Sequence, residues 1–374
     1  MQENSATVAK SKRLLSIDAL RGFDMLFISG GGAFIYYLHG KTSLAWVDAL
    51  AIQMEHTTWN GFTFYDFIFP LFLFISGVSV SFSLKRNIEK GVPKSQLYKK
   101  AFIRMVVLML LGFIYKNSPV HIFAPSTLRY SSVLGRIGIA TFATTLLYLN
   151  FSATKRLFWV IGILLAYYAV LFLIPVPGFG AGDISFEGNL VGWFDRSFMP
   201  GILHQKIYDE NAILTQFPAL TLAVLGAWAG DILNSKNLSE NRKVIKMVII
   251  GVSSIIIALI WNMHFPINKR LWSSSFIALT GGMAFLTMAL FYWLIDVLNY
   301  RKWAFVFKVI GMNSLVIYFA NHFIDFRFTA AKLFDGVLVI LDERWHESII
   351  ALLALGLVWL FLYFLYRNKM FLKI

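Results

Sequence analysis

The stretch EHTTWNGFTFYDFIFP, residues 55–70, carries His56, Trp59, Asn60 and Asp66 to the edge of a long apolar run. Imidazole, amide and carboxylate are the groups that proton transfer and charge stabilisation use. If residues 56–60 are helical, His56 and Asn60 share a face. Asp66 then reaches that face only through a bend near Gly61. Such a carboxylate can orient an imidazole, as it does in triad-like sites. A lone histidine is more often a hydrogen-bonded structural residue, and spacing alone leaves the catalytic use open.

Further ionisable groups sit inside apolar segments, where a charge is expensive and demands a partner. SIDALRGFDM sets Asp18 and Arg21 three residues apart, close enough to pair, with Asp24 three further on. Gly30–Gly32 follow and permit close helix packing or a local break, of which packing is the use expected. Arg136 in VLGRIG needs an anion or a carbonyl, and a buried carboxylate such as Asp66 is one candidate. No HExxH, CxxC, Walker or Rossmann pattern is present, so neither a metal nor a nucleotide fold has support. The chain has no cysteine, which excludes thiol nucleophiles, thiolate metal sites and disulfides.

The elements that must position these residues follow from composition. Of 374 residues, 58% are hydrophobic and 14% charged. Apolar runs near the length that spans a bilayer as a helix recur from end to end. The expected fold is all-α, a polytopic membrane protein of about ten helices: 15–38, 63–84, 101–116, 130–149, 157–175, 213–233, 244–263, 273–296, 303–321 and 347–366. Residues 14–374 form one domain behind a polar tail, 1–13, that does not read as a cleaved signal. The net charge of +14 is not read as nucleic-acid binding. Lysine and arginine favour one set of connections by about two to one, which assigns that set, with both termini, to the cytoplasm. Residues 40–62 and 176–212 then lie outside, while GVLVIL in 322–346 is too short to span and lies at the interface or folds back.

RLLSIDALRGFDML, the glycine run and HTTWNGFTFYDFIFPLFLFISGVSVSFSL together resemble the heparan-α-glucosaminide N-acetyltransferase family, a branch of the transmembrane acyltransferases. VLGRIGIATF, YDENAILTQFPALTLAVLGAWAG, FPINKRLWSSSF and GMNSLVIYF extend the likeness over most of residues 13–320; beyond 320 it is poor. The order of the motifs is specific, although each alone is weak. Ser29 stands where the family often carries an asparagine.

The resemblance implies acetyl transfer from cytoplasmic acetyl-CoA, a cosubstrate, to the amine of a glucosamine-type acceptor across the membrane, with no metal. It implies that His56 is catalytic, either as the base for the amine or as a nucleophile that carries the acetyl group. Asp66 would orient it, and Asn60 and Asn313 would donate to the oxyanion. Arg21, Arg136, Asn313, Ser314 and Lys302 are assigned to the donor. Trp59, Asn268, Lys269 and Trp272 are assigned to the acceptor. The short tail implies a bacterial inner-membrane protein, and a homodimer is expected from the family. A transporter of sugars or muropeptide fragments, or an O-acyltransferase, is the alternative.

Overall fold

The computed structural model describes residues 14–120 and 123–372. The expected tail, 1–13, lies outside the described residues. Among the described residues the regular structure is almost all helix. The first elements are α1 (Leu15–Ile28), the short α2 (Ala33–Tyr36) and α3 (Ala45–Ile52), α4 (Phe64–Glu89), α5 (Lys94–Lys116), α6 (Val133–Asn150) and α7 (Ala153–Leu173). There follow α8 (Leu190–Phe198), α9 (Gln216–Asn234), α10 (Glu240–Asn262) and α11 (Ser274–Tyr292). The last are α12 (Ala304–Gly311), α13 (Ser314–Phe323), α14 (Phe326–Leu333), α15 (Asp335–Leu338) and α16 (His346–Arg367).

Among the described residues, seven helices are long and apolar enough to cross a membrane, or eight if α12 and α13 count as one span bent by 71°. The two remaining expected spans fall on α1 and α5. α1 has 14 residues and ends at Ile28. The glycine run breaks it rather than extending a packing face, because Gly30 adopts φ +91°, which an L side chain resists. The segment 322–346 forms the short α14 and α15, and α14 folds back on α16.

Small residues set the helix crossings. A Cβ built on Gly22 would stand 1.7 Å from the Phe307 carbonyl oxygen, and one on Gly311 2.1 Å from that of Asp18, so α1 and α12 touch backbone to backbone. Gly77 and Gly226 do the same for α4 and α9, with gaps of 1.8 Å to the Ala223 oxygen and 1.9 Å to that of Phe74. In lipid, where apolar burial gives no drive between helices, such close packing is what holds them together. Phe67, Leu71 and Phe74 of α4 meet Phe285 and Met288 of α11 in the core. The outer flank of α10 instead exposes Ile245, Ile249, Ile256 and Ile260, the apolar surface a lipid-facing helix requires.

Candidate active site

The residues 53–63 that lead into α4 are not helical, so the expected helical face shared by His56 and Asn60 does not form. Gly61, at φ +116°, turns the chain, and its amide donates to the Ile267 carbonyl at 2.9 Å. The turn returns the chain to α4, and Asp66 in the first turn of that helix meets His56. His56 Nδ1 and Asp66 Oδ1 are 2.8 Å apart. The other oxygen, Oδ2, accepts from the Thr63 amide at 3.3 Å, capping α4, and from the Thr57 amide and hydroxyl at 3.3 and 3.0 Å. A carboxylate accepting so many bonds is satisfied as the anion. Nδ1 is then the ring nitrogen that donates to Asp66. His56 is 38% exposed while Asp66 is fully buried, so the imidazole opens to the cavity and its partner does not. The Tyr65 ring lies against the imidazole, its centroid 4.9 Å away, and its hydroxyl donates to the Phe27 carbonyl at 3.0 Å.

Lys269 completes the group. Its Nζ lies 2.9 Å from Nδ1 and 3.2 Å from Nε2 of His56, and 3.3 Å from Asp66 Oδ1. It comes from the loop between α10 and α11. Asn268 holds that loop by accepting from the Leu271 amide at 2.9 Å and donating to Asn60 Oδ1 at 3.0 Å. Arg270 pairs with Glu210. Burial lowers the pKa of the Lys269 ammonium from the ordinary lysine value, with Asp66 opposing that shift.

His56, Tyr65, Lys269 and Glu210 line one end of a cavity of about 510 Å³. Its middle is apolar, formed by Phe69, Phe72, Ile75, Leu108 and Ile137, and its other end holds Arg21, Ser79 and Arg104. From Tyr65 to Ser79 the cavity follows α4 for about 21 Å at 1.5 Å per residue. Arg21 donates to Ser79 Oγ at 2.5 Å and lies 3.8 Å from Asp18, the expected pair. Ser314 lines the wall at the bend between α12 and α13. This arrangement suits a long thin ligand with an anionic head at the arginine end and a reactive group at the histidine end.

Other expected site residues fall elsewhere. Asn60 and Asn268 bind each other and brace the loops. Trp59 donates from Nε1 to the Ile184 carbonyl at 3.1 Å and packs edge-on to Tyr208 and Phe186, anchoring the 176–212 segment. Trp272 lines the cavity wall, is 1% exposed, and has φ 51°, an unfavourable conformation for a bulky residue. Arg136 stands behind it, 4.4 Å from the ring centroid, and donates to the Glu210 carbonyl and to Thr215 Oγ1. Asp66 is therefore not its partner. Asn313 is buried at the bend and outside the cavity lining, and Lys302 is exposed.

Three features escaped the sequence. Arg104 was legible as a charge within an apolar run but had no motif around it. Tyr65 and Thr57 gave no signal. Beside the histidine end, Arg129 grips Asp209 with two bonds of 2.7 and 2.9 Å, joining residues 80 apart. Burial alone would raise the Asp209 pKa, and Arg129 more than reverses that. Its neighbour Asp195 has Oδ2 on the Asp209 amide at 3.0 Å while Oδ1 has no partner, and burial pushes its pKa up to about 7.

Comparison with known proteins assigns a family to this geometry. The family described as heparan-alpha-glucosaminide N-acetyltransferase, catalytic, matches residues 13–266. Human and mouse proteins named heparan-alpha-glucosaminide N-acetyltransferase are each 26% identical to the chain, over 97% and 98% of its length. The chain spans 60% and 61% of those two relatives.

Proposed function

The chain belongs to the heparan-alpha-glucosaminide N-acetyltransferase family, and we propose that it is a membrane-embedded acetyltransferase that moves acetyl from acetyl-CoA to the amine of a glucosamine-type sugar. The observation that carries this reading is a cavity with His56, backed by Asp66, and Lys269 at one end and Arg21 and Arg104 at the other. The guanidinium groups suit the phosphates of the donor, and the apolar middle suits its uncharged arm. The thioester then lies beside His56.

An amine attacks only when neutral, and it must lose a further proton as it becomes an amide. Nε2 of His56 takes that proton, while Asp66 holds the ring by Nδ1 and steadies the imidazolium that forms. The bias of basic residues supports a donor entering from the cytoplasm, both termini on that side, and an acceptor meeting His56 outside. On this reading residues 14–374 are one transmembrane acyltransferase domain, a multi-pass protein of a bacterial inner membrane that pairs as a homodimer.

Purified protein given acetyl-CoA and a panel of amino sugars, with products read by mass spectrometry, tests the assignment. An N-acetylated sugar formed by the wild type and not by His56→Ala is expected. Acetylation confined to hydroxyls would make the protein an O-acyltransferase. Sugar uptake into vesicles without acetylation would make it a transporter.

A further inference from the structure

We propose that Lys269 is a catalytic acid, giving its proton to the departing thiolate of the donor and regaining one through His56. The inference rests on the acetyltransferase reading. It starts from Lys269 Nζ lying against the imidazole, 2.9 Å from Nδ1 and 3.2 Å from Nε2, and 3.3 Å from Asp66 Oδ1. Among the described residues, Asp66 and Lys269 alone are within hydrogen-bond distance of the imidazole nitrogens. Asp66 is an acceptor there. The other proton-bearing groups nearby are committed: the Tyr65 hydroxyl to the Phe27 carbonyl, and Arg270 to Glu210.

The step balances. The amine nitrogen bonds to the acetyl carbon, the carbon–sulfur bond breaks, and its electron pair leaves on sulfur. The amine proton goes to Nε2 of His56. The sulfur takes a proton from Nζ of Lys269. The imidazolium then passes its proton across the 3.2 Å contact to the neutral lysine, and both groups return to their starting states. The sum is amine plus thioester giving amide plus thiol. An ammonium has three donors; with one toward Asp66 Oδ1, another is available to the substrate sulfur while Nε2 stays open to the amine. Burial, by lowering the lysine pKa, brings the acid nearer the working pH, where proton transfer is most effective. Asp66, Glu210 and Arg270 are the charged groups that face it.

A chain without cysteine allows a direct test. Lys269→Cys creates the sole thiol. Bromoethylamine converts it to an aminoethyl side chain, which restores an ammonium more acidic than lysine. A propylating reagent restores similar bulk without charge. Each form is assayed for donor binding and for transfer. We expect Lys269→Cys to bind donor yet lose about 10²–10⁴-fold in kcat, the usual worth of one acid or base. Aminoethylation should recover at least tenfold, and the alkaline limb of the rate profile should move to lower pH than in the wild type. Propylation should recover nothing. Unimpaired transfer in Lys269→Cys, recovery on propylation, no recovery on aminoethylation, or an unmoved alkaline limb would each overturn the role of Lys269. Activity of the wild type and its loss in His56→Ala are read alongside, so failure of the acetyltransferase reading is recognised separately.

Discussion

Asp66 and His56 lie ten residues apart and meet at 2.8 Å, and the same carboxylate caps the helix it begins. One oxygen serves the imidazole and the other serves the backbone. The helix start and the base are thus a single unit, and substitutions at the two positions should have different consequences.

His56→Ala should keep the thermal stability and the donor affinity of the wild type while transfer falls by about 10²–10⁴-fold. Asp66→Asn should lower both activity and stability, because it removes an acceptor of charge-assisted bonds worth about 1.5–3 kcal/mol each and strands Lys269. Unfolding in detergent, followed beside the transfer rate, checks both. Equal stability loss in the two variants would refute the division of labour.

Arg21 and Arg104 should govern donor affinity, and Arg136 should not. Alanine at either of the first two should weaken acetyl-CoA binding by about tenfold or more, the worth of one charge-assisted hydrogen bond. Arg136→Met should leave that affinity near the wild-type value and lower stability, since Arg136 supports Trp272 and the Glu210 carbonyl. Calorimetric titration with acetyl-CoA distinguishes them.

Asp195 should make stability depend on pH. Its folded pKa, about 7, is above the unfolded value, so its contribution is full below about pH 4 and is lost as pH rises through 7. The slope between those limits is at most about 1.4 kcal/mol per pH unit. Asp195→Asn should flatten it, as melting temperatures between pH 5 and 8 would reveal.

Gly77 and Gly226 should not tolerate side chains. Gly226→Val must push α9 away from the Phe74 carbonyl, or α4 with it, and so should disrupt the cavity wall. Reduced yield of folded protein, measured by gel filtration in detergent, is the expected outcome, whereas Gly162→Val on α7, where a Cβ meets nothing within 4 Å, should be silent.

The helical class was legible because apolar runs of spanning length have few alternative folds in lipid. His56 and Asp66 were legible as polar groups entering such a run, and the bend at Gly61 that joins them was anticipated. The partnership of Asn60 with Asn268 was not, because it joins residues 208 apart and depends on how two loops dock. Lys269 was read as an acceptor contact for the same reason. Its sequence neighbours gave no sign that the α10–α11 loop would deliver it to the imidazole. Arg136 was read as needing an anion or a carbonyl, and the fold answered with a carbonyl, joined by a hydroxyl and an indole face.

The cavity has cationic and polar ends separated by a belt of phenylalanine, isoleucine and leucine. A passage that joined two aqueous compartments with a wet interior would short-circuit the membrane. Water is held poorly between such apolar walls, and hydrophobic constrictions block ions by dewetting. On the proposed transmembrane reading, the belt would be an electrical insulator as well as a sleeve for a thin ligand. A protein that moves a chemical group between compartments can in this way leave the voltage across them intact.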